Sequence, residues 1–222
     1  MPGDATPFGL TGTGNGTAYM LSATAIVELH DRLTREAHQT SPPPPALPED
    51  WPGQVARQHM ANFELWHIED EARNPLAADA DLAQVKRRID RTNQRRNDLA
   101  EQLDAALLGW LKTRSLPKAS APLHSESPGL IIDRLSILAL KIYHTREETL
   151  RTEAPAGHLD RNLNRLAVLN EQRNDLAGCL DELWRETLAG SRRFKLYRQL
   201  KMYNDPALNP VLYAQTASGK PS

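Results

Sequence analysis

The sequence predicts an all-α protein, a duplicated helical hairpin forming a pseudo-twofold helical bundle, and three observations predict it. Apolar residues recur at helical spacing in every long segment, with no sustained period-two alternation. Short clusters rich in Pro, Gly and Ser separate those segments. Residues 93–104, "NQRRNDLAEQLD", return seventy-seven positions later at 170–181 as "NEQRNDLAGCLD".

Each element follows in order. Residues 1–17, rich in Gly, Thr and Pro without apolar periodicity, read as a disordered N-terminus. Between 18 and 38, Ile26, Leu29, Leu33 and Ala37 share one helical face. The run "TSPPPPALPEDWPG" then interrupts regular structure, because proline locks φ and lacks a donor, and leaves a Pro-rich loop over 41–53. Helix resumes near Gln54 and breaks at Asn74-Pro75. A long helix spans about 80–113, the segment "SLPKASAPLHSESPG" punctuates the middle, and a helix from about 130 runs toward Pro155. A second long helix covers about 159–189, followed over 191–222 by a short basic helix and an irregular tail. Residues 18–190 therefore form one bundle, with repeat one at about 55–113 and repeat two at about 130–190.

Composition narrows the function classes. Lys plus Arg (27) nearly balances Asp plus Glu (28), so no global field points to nucleic acid or an anionic membrane. The single cysteine, Cys179, excludes an intrachain disulfide and a Cys-based zinc motif, and its place in a helical repeat reads as a small core residue. The stretch "AYMLSATAIV" is too short and mixed for a signal peptide or membrane span, which makes the cytoplasm the expected location. The glycines of the N-terminus follow no strand and precede no Gly-Lys-Ser/Thr, so they form no phosphate loop. The basic run 191–202 reads as a solvated face before it reads as a nucleic-acid surface.

The seventy-seven-residue register extends upstream without a gap: "LWHIEDE" at 65–71 lies over "IYHTREE" at 142–148. It matches His67 with His144, Trp66 with Tyr143, Asp70 with Glu147, and Arg88 with Arg165. A shorter echo, "HDRLT" at 30–34 against "IDRLS" at 132–136, implies that the Pro-rich run interrupts the first copy's opening helix.

Two amphipathic hairpins bury their stripes against each other. Ile89, Arg96, Leu103 and Trp110 fall seven apart, as do Leu166, Arg173 and Leu180, so both arginines occupy apolar-stripe positions. A buried guanidinium requires a carboxylate or an anionic ligand, and Asp70 and Glu147 are the acids the spacing offers. The expected site therefore gathers Arg96, Arg173, Asn93, Asn97, Asn170 and Asn174 with Trp66 and Tyr143 as stacking faces. It would bind an anionic small molecule, a phosphorylated or carboxylated metabolite, nucleotide sugars included. His67 and His144, paired with Asp70 and Glu147, carry any acid–base chemistry.

Two alternatives stand beside this reading. In the first, the Arg–acid layer is only a set of structural salt bridges in an interaction bundle without a ligand. In the second, the His-x-x-acid pairs at 67/70 and 144/147, with "ELWH" at 64–67, form a dimetal-carboxylate bundle. Against that, Lys141 stands where the first copy has Glu64, and two nearby arginines would repel a dication. No metal ligand is therefore assigned. His30, His38, His59, His124 and His158 fall into no partner pattern.

At "NFELWHIEDEAR", "IDRTNQRRNDLAEQLD", "GLIIDRLSILALKIYH" and "YRQLKMYNDPALNPVLY" the sequence resembles the bacterial domain of unknown function family 4254, over about residues 20–213. The resemblance implies a bacterial helical protein and draws attention to Trp66. It implies no particular reaction or cofactor.

Overall fold

The computed structural model describes residues 21–39, 47–198, 200 and 207–210. Among these are five helices and no strand: α1 (Ala23–Gln39), α2 (Trp51–Glu71), α3 (Asp79–Lys112), α4 (Pro128–Thr149) and α5 (His158–Leu188). The expected disordered residues 1–17, the proline run 42–45 and the tail beyond 210 lie outside the described residues.

Helix α2 begins three residues before the expected Gln54. Asp50 caps it by accepting a hydrogen bond from Gly53 N at 3.0 Å, and Pro52 fits the first turn, where no N–H is needed. The Asp-Trp-Pro-Gly sequence thus starts a helix instead of prolonging the loop.

Contacts fix the helix directions. Helices α1, α2 and α4 run the same way: His30 stacks on His59 and His38 lies beside His67, while His59 meets Ser136 and His67 lies beside His144. Helices α3 and α5 run against them, as shown by Arg96 with Asp133 and Gly129 with Asp104, and by Arg173 with Asp31 and Ala23 with Asp181. The His59–Ser136 and His67–His144 pairs are each seventy-seven positions apart, and both straddle the α2–α4 contact.

The main apolar cluster fills the end of the bundle where the three parallel helices begin. Ile26, Val55, Leu103, Leu107, Ile131, Leu135, Leu180, Leu183 and Phe194 belong to it. There Asp104 of α3 reaches across to cap α4, accepting from Gly129 N at 2.7 Å and Ser127 Oγ at 2.5 Å. A Cβ on Gly129 would lie 2.3 Å from the carbonyl oxygen of Ala100, so only glycine allows this approach.

Three expectations are corrected here. Residues 191–198 are not helical: Gly190 at φ +74° ends α5, and Arg193 exchanges backbone hydrogen bonds with Pro122 and His124 while Phe194 is buried. Cys179 is exposed and contributes nothing to the core. Arg96 and Arg173 do lie on the inner side, half-buried, but their carboxylates are Asp133 and Asp31, not Asp70 and Glu147. No described helix is long and apolar enough to cross a membrane.

Candidate site: a three-histidine cluster

Past the apolar cluster, the facing positions of α1, α2 and α4 become polar. Each helix presents one ladder at i, i+4 and i+8, a spacing that keeps side chains on one face. The ladders are His30, Thr34, His38; His59, Phe63, His67; and Ser136, Leu140, His144. They define two polar levels about 12 Å apart along the helices.

The inner level is a buried hydrogen-bond network around His59, although both ring nitrogens of His30 and Gln58 Oε1 have no hydrogen-bond partner there. Thr34 Oγ1 donates to the carbonyl of His30 at 2.8 Å, so at 3.0 Å it can only accept from His59 Nε2. His59 Nδ1 must then accept from Ser136 Oγ at 2.8 Å, and Ser136 accepts in turn from Asn62 Nδ2 at 3.0 Å. Asn62 and Gln58 donate to Asp133, whose carboxylate also faces Arg96 at 3.2 Å. Burial lowers the pKa of His59 to about 3 and that of His30 well below the usual range, so both rings are neutral. Ser136 is fully enclosed, so the Ser136–His59 pair has no route to a substrate.

The outer level is half-buried and differently built. His38, His67 and His144 each offer a ring nitrogen within 4.8 Å of the others. His38 Nδ1 donates to the Thr34 carbonyl at 2.7 Å and His67 Nδ1 to the Phe63 carbonyl at 2.9 Å. A carbonyl only accepts, so each of these rings carries a hydrogen on Nδ1, and in the neutral ring Nε2 is the lone pair. His144 Nδ1 is held by Glu147 Oε2 at 2.8 Å, which leaves its Nε2 in the same state. His38 Nε2 and His144 Nε2 are buried without a hydrogen-bond partner. Burial lowers the His144 pKa; the Glu147 hydrogen bond and charge oppose that, and His38 and His67 reinforce it.

Aromatic rings clamp the cluster. Trp66 stacks on His144 at 4.9 Å and 7°, and Tyr143 stacks on His38 at 4.3 Å and 17°. A cleft of about 420 Å³ opens beside His144, lined by Trp66, Lys141, Thr145, Glu148, Asn162, Arg165 and Leu169. A second, of about 290 Å³, opens on the opposite side beside Tyr143 and Glu147.

The residues expected to share one pocket divide between places. Trp66, His67, Tyr143, His144 and Glu147 come together. Asp70 does not: it is exposed and lies 3.7 Å from Arg73. Arg173 holds Asp31 through both carboxylate oxygens and also donates to Asn170 Oδ1, while Asn170 donates to the Leu166 carbonyl. Asn93 and Asn97 are half-buried on α3, and Asn174 is exposed. Glu64 of the "ELWH" motif turns away to Arg95 and Thr92. Both arginines pair with acids two to three helical turns before the cluster.

Sequence reasoning missed His38. The signal was present as an eight-residue spacing, His30 to His38 and His59 to His67, with Ser136 to His144 as its third instance.

Fold and site together define a five-helix bundle, counted over the described residues, with a three-histidine cluster between its parallel helices. The chain belongs to a protein family of unknown function, DUF4254, whose sequence profile matches residues 53–196. Helix α1, which brings His38, precedes the matched segment. No curated protein and no solved structure shows significant similarity to the chain.

Proposed function

We propose that this protein binds a divalent first-row transition metal, zinc in the first instance, through Nε2 of His38, His67 and His144, and leaves a coordination position open to an anionic small molecule. One observation carries the reading: three ring nitrogens converge within 4.8 Å while every Nδ1 is already bound to oxygen. Unpaired imidazole nitrogens such as Nε2 of His38 and His144 are costly to bury, and a metal ion satisfies both while taking His67 as a third ligand. Hydrogen-bonding the far nitrogen of each ring to a carbonyl or carboxylate fixes tautomer and orientation, as outer partners do at histidine metal sites. Donors in a tetrahedral zinc site lie roughly 3.3 Å apart, so rings within 4.8 Å need only small side-chain shifts.

Three neutral imidazoles leave the ion its full double charge. Such a centre acidifies a bound water toward neutrality and polarises an oxyanion oxygen. That is the place in this bundle for the phosphorylated or carboxylated ligand expected from the sequence. Arg96 and Arg173, already paired, hold helices together in this reading. Contacts between residues seventy-seven apart support taking the bundle as two hairpin copies about a pseudo-twofold axis running along α2 and α4.

The test is thermal unfolding of untagged, chelator-treated protein with added zinc, cobalt, nickel or magnesium. Zinc at a hundred times its dissociation constant should stabilise by about 2.7 kcal/mol, a rise of roughly 5–10 °C for a chain of this size. Magnesium should have no effect, and His38→Ala should abolish the zinc response. A wild-type protein indifferent to every imidazole-binding metal would sink the reading.

A further inference from the structure

The cleft beside His144 has an electrostatic feature that comparison within the chain exposes. Seventy-seven positions before its lining residues Lys141, Glu148 and Arg165 stand Glu64, Glu71 and Arg88. On the α2–α3 side the charges cancel: Arg88 grips Glu71 through both nitrogens, and Glu64 pairs with Arg95 at 2.9 Å. On the α4–α5 side they do not. Lys141 replaces the acid, and Glu148, which also lines the cleft, is engaged by His158 at 2.8 Å and Arg151 at 3.6 Å. Arg165 is left donating to Asn162 Oδ1 at 2.8 Å. Among the described residues neither Lys141 nor Arg165 forms an ion pair.

Two uncommitted cations therefore flank a cleft of about 420 Å³ that has His144 in its wall and the Trp66 indole beside it. That volume suits a small metabolite. A guanidinium and an ammonium select an oxyanion, the first by a planar fork and the second as a point charge. An indole face favours a flat or apolar body next to that charge.

We infer that the α4–α5 cleft binds a small molecule carrying a terminal oxyanion beside a flat or apolar group, and that Lys141 and Arg165 determine this charge specificity. The oxyanion points toward the histidine cluster; that clause alone rests on the metal reading, and the cation-dependent binding does not.

Calorimetric titration with phenyl phosphate and with benzoate, on metal-free and on zinc-loaded protein, tests it. Metal-free wild type binds at least one of the two probes, and the tighter one identifies the oxyanion as phosphate or carboxylate. Lys141→Met combined with Arg165→Met weakens that binding roughly tenfold or more, and leaves zinc uptake, measured on the same samples, unchanged. Zinc loading tightens the wild-type affinity. Equal affinity in the double variant, or no binding of either probe to metal-free wild type, overturns the cleft assignment even when zinc binds normally. Failure to take up zinc overturns only the metal reading, because the metal-free titration still decides the cleft.

Discussion

Glu147 Oε2 accepts the Nδ1 hydrogen of His144 at 2.8 Å, one helical turn further along α4. The carboxylate fixes the ring and leaves Nε2 buried without a hydrogen-bond partner, and it makes that nitrogen a stronger donor to a metal. Glu147→Gln keeps an acceptor but removes the charge. We expect zinc affinity to fall roughly tenfold, toward the lower end of the 10–100-fold range for outer partners, with thermal stability of the metal-free protein nearly unchanged. Competition against a chromophoric chelator measures it.

The Asp31–Arg173 pair ties α1 to α5, with side-chain exposures of 32% and 15%. Partial burial makes it worth more than a surface pair, and removing one partner strands the other. Denaturant unfolding of Asp31→Asn, Arg173→Met and the double variant should give a coupling energy of about 1–2 kcal/mol. Metal affinity should be preserved in all three. A coupling near zero would remove the pair from the account of how α1 is held.

Acid should destabilise the bundle through its inner level. His59 has a folded pKa of about 3 against 6.5 unfolded, so unfolding takes up a proton between those values. Stability is full above pH 6.5 and falls as pH drops toward 3, by up to about 5 kcal/mol at roughly 1.4 kcal/mol per unit. His59→Gln should be less stable at pH 7 yet flatter across that window in urea titrations. A His59→Gln profile no flatter than that of the wild type between pH 6.5 and 4 would contradict the burial of a neutral His59.

Asp104 acts with the opposite sign. Burial raises its pKa to about 6 from 3.8, against the lowering effect of its bonds to Ser127 and Gly129. A raised carboxyl pKa contributes stability below pH 4 that is lost as pH rises through 6. Relative to Asp104→Asn, the wild type should lose about 3 kcal/mol across that interval. Gly129→Ala should cost about 1–3 kcal/mol at any pH, because its methyl meets the Ala100 carbonyl.

The helices were legible because apolar periodicity and proline punctuation are local signals. The long helices 79–112 and 158–188 fall within a residue of their expected bounds. Segment 191–198 was not legible as extended chain, since its backbone partners at 122 and 124 are remote and nothing nearby announces them. Within the site, the repeat register brought out His67, His144, Trp66 and Tyr143. It missed His38, which lies outside both copies and joins the cluster only because α1 packs parallel to α2. The acids opposite Arg96 and Arg173 depend on how far the long helices slide along the short ones, which seven-residue spacing cannot give. The echo of "HDRLT" in "IDRLS" nonetheless contained both partners, Asp31 and Asp133, at the same place.

Cobalt titration of metal-free protein tests the three-histidine centre most directly, because the visible spectrum of cobalt reports both its uptake and its coordination geometry. The expected result is one equivalent bound per chain, with the intense visible bands of a four-coordinate nitrogen-rich site, displaced by zinc. Those bands should be absent in His38→Ala and in the His67→Ala/His144→Ala double variant, with both still folded. Wild-type protein that shows no such bands, or shows them undiminished in the histidine variants, would contradict a metal centre at His38, His67 and His144.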